Sequence, residues 1–138
     1  MTPITRTGFL CFQVTDVDLA EAQLTLLRKN AKANARIDFV FDAGDKWTAE
    51  EFDAARDHLM RLGADDVHLL PFEAHDWSPH SYRMTAGARN GVACNWGMDN
   101  IIPTWDEDIG AAMLLDGDLA PLQPVDVESV MSKTHLLY

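Results

Sequence analysis

Three short apolar runs in the first half of the chain are each followed at once by acidic residues. They are Phe9 to Val14, Ile37 to Phe41 and Val67 to Phe72. Nearly continuous apolar character is typical of parallel strands that are covered on both faces. Helix-like segments separate the first run from the second and the second from the third. The pattern therefore predicts a β-α-β-α-β unit over residues 1–72, with the first strand in a central position.

The two segments between these strands carry helix signals. Capping side chains precede a first helix, which we predict from about Asp18 to Ala33. Thr48 and Glu51 form a capping box, in which each side chain satisfies the other residue's free backbone amide. A second helix is predicted from Thr48 to Leu62, with Gly63 at its left-handed C-terminal cap.

The topology directs attention to one edge of the sheet. Right-handed crossovers make the three strands parallel, so their carboxyl ends meet at the same rim. Ligands of open parallel sheets bind outside these ends. The third strand contains Pro71, which cannot donate to a ladder, so we expect its regular part to stop near Leu70 or to lie at a sheet edge.

Residues 73–138 form an irregular part that we expect to pack on this unit as one domain. Asn90-Gly91 is the dipeptide favoured in two-residue hairpin turns, and it predicts a small hairpin with arms Met84 to Arg89 and Val92 to Asn95. Ile101-Ile102 could form a further short strand. The predicted fold class is α/β: a small βαβαβ parallel sheet flanked by helices, followed by an irregular segment with a hairpin and one or two short helices.

Two short helices are predicted after this segment. Acidic residues precede Ile109 to Leu115, as at the positive end of a helix dipole, and Asp116-Gly117-Asp118 would end that helix. Asp126 could cap a second short helix through Met131. The tail His135 to Tyr138 is apolar and would either dock on the core or bind a partner.

Charge narrows the classes of partner. The chain has 138 residues, 22 acidic and 11 basic side chains, and a formal charge of −11. Such a charge repels a phosphate backbone, so direct binding to nucleic acid is disfavoured. An acidic surface either serves solubility or binds a basic partner. No run is apolar enough for a membrane span and no signal peptide is evident, which predicts a soluble, cytoplasmic protein.

The rim carboxylates are the candidate metal ligands. Asp16, Asp42 and Glu73, with Asp45 and Asp76 nearby, could hold a divalent cation such as magnesium, since one or two carboxylates suffice when phosphate supplies the other ligands. The alternative is structural: Asp16 caps the first helix, Asp42 and Asp45 shape a turn, and the others are solvated. These residues do not identify a cofactor beyond a possible divalent cation.

Histidine and cysteine offer further chemistry. His75 could act as a general base oriented by Asp76 or Glu73. The catalytic candidates are His75 and, separately, Asp42. His68 and His80 could add metal ligands, although ordinary roles for all three histidines are the alternative. Cys11 and Cys94 show no zinc or redox spacing, and we expect two buried free thiols. Neither a GxGxxG nor a GxxxxGK[ST] loop is present, which excludes nucleotide binding by those two motifs.

Tryptophans suggest an interface. Trp77, Trp96 and Trp105 could anchor a protein partner or, alternatively, fill the core beneath long loops. The leading hypothesis is a small acidic protein that acts by binding another macromolecule. This would be either another protein, such as a basic one, or a second copy of itself. The alternative is a metal-dependent enzyme with a carboxylate site at the ends of the parallel strands. Whether the chain is an enzyme is left open.

Overall fold

The computed structural model describes residues 3–78 and 85–133. Four strands and four helices follow one another along the described chain. They are β1 (Thr7–Gln13), α1 (Val17–Asn30), β2 (Arg36–Phe41), α2 (Ala49–Arg61), β3 (Asp66–Leu69), α3 (Ala86–Asn100), β4 (Ala111–Asp116) and α4 (Val127–Lys133). Short 3₁₀ turns cover Phe72–Ala74 and Ile102–Thr104. None of the helices in these two ranges is long and apolar enough to cross a membrane.

The strands form one parallel sheet in the order β3-β2-β1-β4. The predicted α/β fold is therefore confirmed, and β1 is central as expected. Cys11 marks the centre of the register, because it pairs with Phe39 of β2 on one side and with Leu115 of β4 on the other. β3 lies at one edge and ends at Leu69, close to the limit that Pro71 predicted.

Helices cover both faces of the sheet. On one face α1, α2 and α4 pack against alternate strand residues such as Cys11 and Phe39. On the other face α3 and the turn after it pack against Leu10, Phe12 and Val40. Covering on both faces explains why the first two runs are almost continuous in apolar residues.

The predicted helix caps are confirmed. Asp16 accepts a hydrogen bond from the Leu19 amide at 2.9 Å and begins α1, which ends at Asn30, a little before the predicted Ala33. Thr48 and Glu51 form the reciprocal capping box of α2. Gly63 follows α2 with a φ of +109°, a conformation that favours glycine.

The predicted hairpin at Asn90-Gly91 is wrong, because both residues lie inside α3. Thr85 caps this helix by accepting from the Ala88 amide at 3.3 Å, and a helix tolerates an interior glycine at a cost of roughly 1 kcal/mol. Packing supports α3 instead: a Cβ at Gly97 would lie 2.6 Å from Leu10 Cδ2, so the glycine permits a close approach to β1. Met84, in the predicted first arm, falls outside the described residues.

Two further predictions in this half are corrected. The segment Ile109 to Leu115 was expected to be helical, but it contains most of β4, since a short apolar run does not distinguish helix from strand by periodicity. Ile101-Ile102 enters a 3₁₀ turn instead of a strand. The short helix after Asp126 is confirmed as α4, and Asp126 accepts from the Ser129 amide at 3.0 Å. The tail His135 to Tyr138 lies outside the described residues.

Candidate functional site

A cleft of about 610 Å³ lies at the carboxyl ends of the strands. The chain runs from β1 to β2 on one side and later adds β4 on the other, so the order of the strands reverses between β1 and β4. Open parallel sheets bind their ligands at such a reversal. The apolar part of the lining includes Phe12, Val14 and Ala93, and the first turn of α3 contributes Ala86 and Gly87.

The turn after β4 is held in place from below by two buried amides. Gln13 donates to the carbonyl of Gly117 at 2.8 Å. Gln23 donates to the carbonyls of Asp116 and Leu119 at 2.9 and 2.7 Å. A Cβ at Gly117 would lie 2.5 Å from Gln13 Oε1, so the turn sits directly on the Gln13 side chain. These contacts fix the backbone that carries the carboxylates of Asp116 and Asp118.

Asp116 and Asp118 line the cleft from that turn and are both exposed. Asn90, from the second turn of α3, donates to Asp116 Oδ1 at 3.2 Å. Arg89 precedes Asn90 and also lines the cleft. Next to these two carboxylates the cleft therefore presents one guanidinium and one carboxamide from α3.

Asp42 stands across the cleft, directly after β2. Its Oδ2 lies 2.8 Å from Nε2 of His75, and its Oδ1 lies 3.5 Å from a terminal nitrogen of Arg89. Trp77 completes the group: the Arg89 guanidinium lies 5.1 Å from its ring centroid, and the His75 ring meets it edge-on. Trp77 also covers Gly44, where a Cβ would lie 2.8 Å from the indole. The two catalytic candidates, His75 and Asp42, are therefore brought into contact.

The three predicted metal ligands are not brought together. Asp16 is occupied as the cap of α1, and Glu73 is exposed on the turn after β3. Among the described residues no group of three or more His, Cys, Asp or Glu side chains is placed to hold a metal ion. Of the five rim carboxylates, Asp42 alone lines the cleft.

His68 belongs to a separate network at the other end of β2. Its Nε2 lies 2.9 Å from Oδ2 of the fully buried Asp38, which also accepts from Arg36 at 2.9 and 3.3 Å and from the Trp105 indole at 3.2 Å. Burial alone would raise the pKa of Asp38, but these hydrogen bonds and the Arg36 charge outweigh it and lower that pKa. His80 lies outside the described residues.

The cysteines are not activated. Cys11 is buried and Cys94 half-buried, and both are free thiols. Burial raises the pKa of both thiols, and the negative charge of Asp116 raises that of Cys94 further. Since the thiolate is the nucleophile, these shifts argue against a nucleophilic role for Cys94.

The tryptophans mainly fill space. Trp105 is only 8% exposed and donates to Asp38, so its burial does not agree with the predicted interface role. Trp96 is half-buried and packs against the core on the α3 face. Trp77 is half-buried beside the cleft, where it contacts Arg89 and His75.

Sequence reasoning missed Asp116 and Asp118 because it assigned the segment before them to a helix. The signal was nevertheless present: an apolar run, Ala111 to Leu115, followed at once by acidic residues, as in the first three strands. Arg89 and Asn90 were missed because they were assigned to a hairpin.

Comparison of the chain with models of known families, with curated proteins and with solved structures finds no match.

Proposed function

We propose that the cleft binds a nucleoside diphosphate together with a divalent cation, and that the protein is a metal-dependent enzyme acting on such a ligand. The observation that carries the proposal is the pair Asp116 and Asp118, which face a cleft at the strand-order reversal beside Arg89 and the first turn of α3. The proposal keeps the metal-enzyme hypothesis and moves the cation from Asp16, Asp42 and Glu73 to the turn after β4.

Two carboxylates suit a cation that is shared with a ligand. Magnesium and manganese prefer oxygen ligands, and magnesium is usually held by one or two carboxylates plus substrate phosphates, without an all-protein cage. Because no three-ligand group is present among the described residues, phosphate and water would have to supply the remaining ligands of the cation. The bound cation would neutralise phosphate charge, which is needed in a protein whose formal charge is −11.

The remaining lining suits the other parts of a nucleotide. Phe12 and Val14 offer an apolar surface to a base, and Asp42 offers a carboxylate to the N–H or O–H groups of a base or ribose. The Arg89 guanidinium and the positive end of the α3 dipole favour a diphosphate. A volume of about 610 Å³ falls within the usual range for small-molecule sites.

The position of the cation indicates a reaction class. A diphosphate that is neutralised by a cation is a good leaving group, so a nucleoside diphosphate that carries a transferable group, such as a sugar, is a suitable substrate. The group would pass to a nucleophilic acceptor, and the diphosphate would leave with the electron pair of the broken bond.

Calorimetric titration tests the proposal. Manganese with the diphosphates of uridine, guanosine and adenosine should give cation-dependent binding of at least one nucleotide. The double variant Asp116→Asn/Asp118→Asn should weaken that binding by about tenfold or more. Asp53→Asn, which removes a charge from exposed α2, is the control and should bind normally. Nucleotide binding that does not depend on manganese, or that is equally strong in the double variant, would refute the proposal.

Partner binding is a second candidate, favoured by exposed apolar side chains around and after β4. Leu119, Leu122 and Val130 are 52%, 83% and 61% exposed. A second protein that covered these side chains would remove their apolar surface from water. Sedimentation of the wild type and of Leu122→Ser tests it: self-association that the substitution reduces would support this role, and a monomer at all concentrations would exclude a homo-oligomer.

A further inference from the structure

The contact between His75 and Asp42 is almost completely shielded from solvent. The His75 side chain is 1% exposed and that of Asp42 is 12% exposed, and their nitrogen and oxygen atoms lie 2.8 Å apart. Asp42 lines the cleft, whereas His75 lies behind it. His75 therefore reaches a bound ligand only through Asp42.

The geometry defines what His75 supplies. Asp42 is a carboxylate and accepts, so Nε2 of His75 is the donor and Nδ1 of a neutral ring is the acceptor. Nδ1 is buried and has no hydrogen-bond partner among the described residues. Leaving a buried polar atom unpaired costs stability, and such an atom requires an explanation.

Arg89 is also incompletely satisfied. Its terminal nitrogen lies 3.5 Å from Asp42, beyond a short charge-assisted hydrogen bond, and its buried Nε has no partner in the parts of the chain that the structure describes. Asp42 is thus held firmly by His75 on one oxygen and loosely by Arg89 on the other. The loosely held oxygen is the one left to accept from a ligand.

We infer, on the basis of the proposed function, that His75 is a positioning residue that fixes Asp42 to receive the hydrogen-bond donors of the nucleoside part of the ligand. The hydrogen bond to Oδ2 sets the rotation of the carboxylate and leaves Oδ1 for an N–H or O–H group. His75 then determines selectivity for a nucleoside over a bare diphosphate, while Asp116 and Asp118 determine cation dependence. The two ends of the cleft act on different parts of one ligand.

Two substitutions at His75 separate this role from simple packing. His75→Leu removes the donor and keeps apolar bulk, whereas His75→Gln keeps a side-chain N–H that can reach Asp42. Titrations use manganese with the nucleoside diphosphate that the wild type binds best, and manganese with inorganic pyrophosphate. His75→Leu should weaken nucleotide binding by about tenfold, the effect typical of outer-shell partners. Pyrophosphate binding should be unchanged, and His75→Gln should restore most nucleotide affinity.

Each outcome has a distinct meaning. Equal loss of nucleotide and pyrophosphate binding in His75→Leu, no loss of either, or no rescue by His75→Gln would overturn the positioning role while the proposed function stands. Failure of the wild type to bind either probe with manganese would overturn the proposed function and this inference with it. If His75→Leu does not fold, His75→Met, which also removes the donor and keeps apolar bulk, replaces it and should show the same selective loss of nucleotide affinity.

Discussion

Asp38 and Asp42, toward the two ends of β2, are surrounded by the same kinds of side chain, but only the hydrogen bonds around Asp38 are all short. At the amino end Asp38 is fully buried and accepts from arginine, histidine and tryptophan side chains within 3.3 Å. At the carboxyl end Asp42 also meets a histidine and an arginine, beside Trp77, but Arg89 stands back at 3.5 Å and two nearby nitrogens lack partners among the described residues. Asp38 itself is shielded from solvent, whereas Asp42 and Arg89 line the cleft.

The difference shows how burial and hydrogen bonding separate a structural network from a site. A buried charge is tolerated when every donor around it is used, because an unpaired buried group costs free energy. The Asp38 network meets this requirement and stabilises the sheet. The Asp42 group leaves donor and acceptor capacity unused next to a cavity, which is the arrangement expected of a group that binds a ligand.

The largest expected change in stability comes from neutralising Asp38, compared with neutralising Asp42. Asp38→Asn should lower the free energy of unfolding by about 3 kcal/mol, because it leaves Arg36 without its buried partner. Asp42→Asn should cost less, because Asp42 lies at an open cleft. Urea unfolding of both variants measures the difference. Equal losses would contradict the distinction between the two networks.

The tightly packed region around Asp38 and Trp105 should also be destabilised by a larger side chain. A Cβ at Gly8 would overlap the Trp105 ring, which seals the Asp38 network, so Gly8→Ala should destabilise by about 2 kcal/mol. At Gly87, which lines the cleft, a Cβ would meet nothing within 4 Å. Gly87→Ala is therefore the matched control, and thermal melting should show little or no loss. A tolerated Gly8→Ala would mean that Trp105 repacks easily.

Titration of Asp38 gives a smaller effect with a defined sign. Its pKa is lowered in the folded protein, so its ionised form contributes stability above the ordinary value of 3.8. That contribution should disappear as the pH falls below 3.8 and through the folded pKa. The stability gap between wild type and Asp38→Asn should therefore shrink on acidification from about pH 6 to pH 2. A gap that stays constant would show that the pKa of Asp38 does not change on folding, and a gap that widens on acidification would show that the carboxyl is protonated in the folded state.

The sequence predicted the first half well because local signals there agree with the tertiary fold. Asp16 and the Thr48 capping box mark helix starts through chemistry that acts within four residues. The parallel topology followed from three apolar runs and the rule for right-handed crossovers. The Asp38 network could not be foreseen, since it joins residues that are up to 67 positions apart.

The second half failed for the opposite reason. α3 contains three glycines and three asparagines, and close packing of Gly97 on β1 outweighs their weak helix propensities. β4 is an edge strand whose apolar run is equally compatible with a helix. The candidate site depends on both elements, so two wrong assignments concealed Arg89, Asn90, Asp116 and Asp118 together.

The smallest effect tests whether tertiary packing maintains α3 beside the cleft. Gly91 lies in the middle of the helix, where a Cβ would meet nothing within 4 Å, so Gly91→Ala should raise the free energy of unfolding by about 0.5 to 1 kcal/mol through helix propensity alone. Gly97→Ala makes the same chemical change against Leu10 and should destabilise instead. Urea unfolding resolves the opposite signs. Destabilisation by both variants would contradict the assignment of Gly91 to an open helix face. It would support the alternative assignment of Asn90-Gly91 to a hairpin turn.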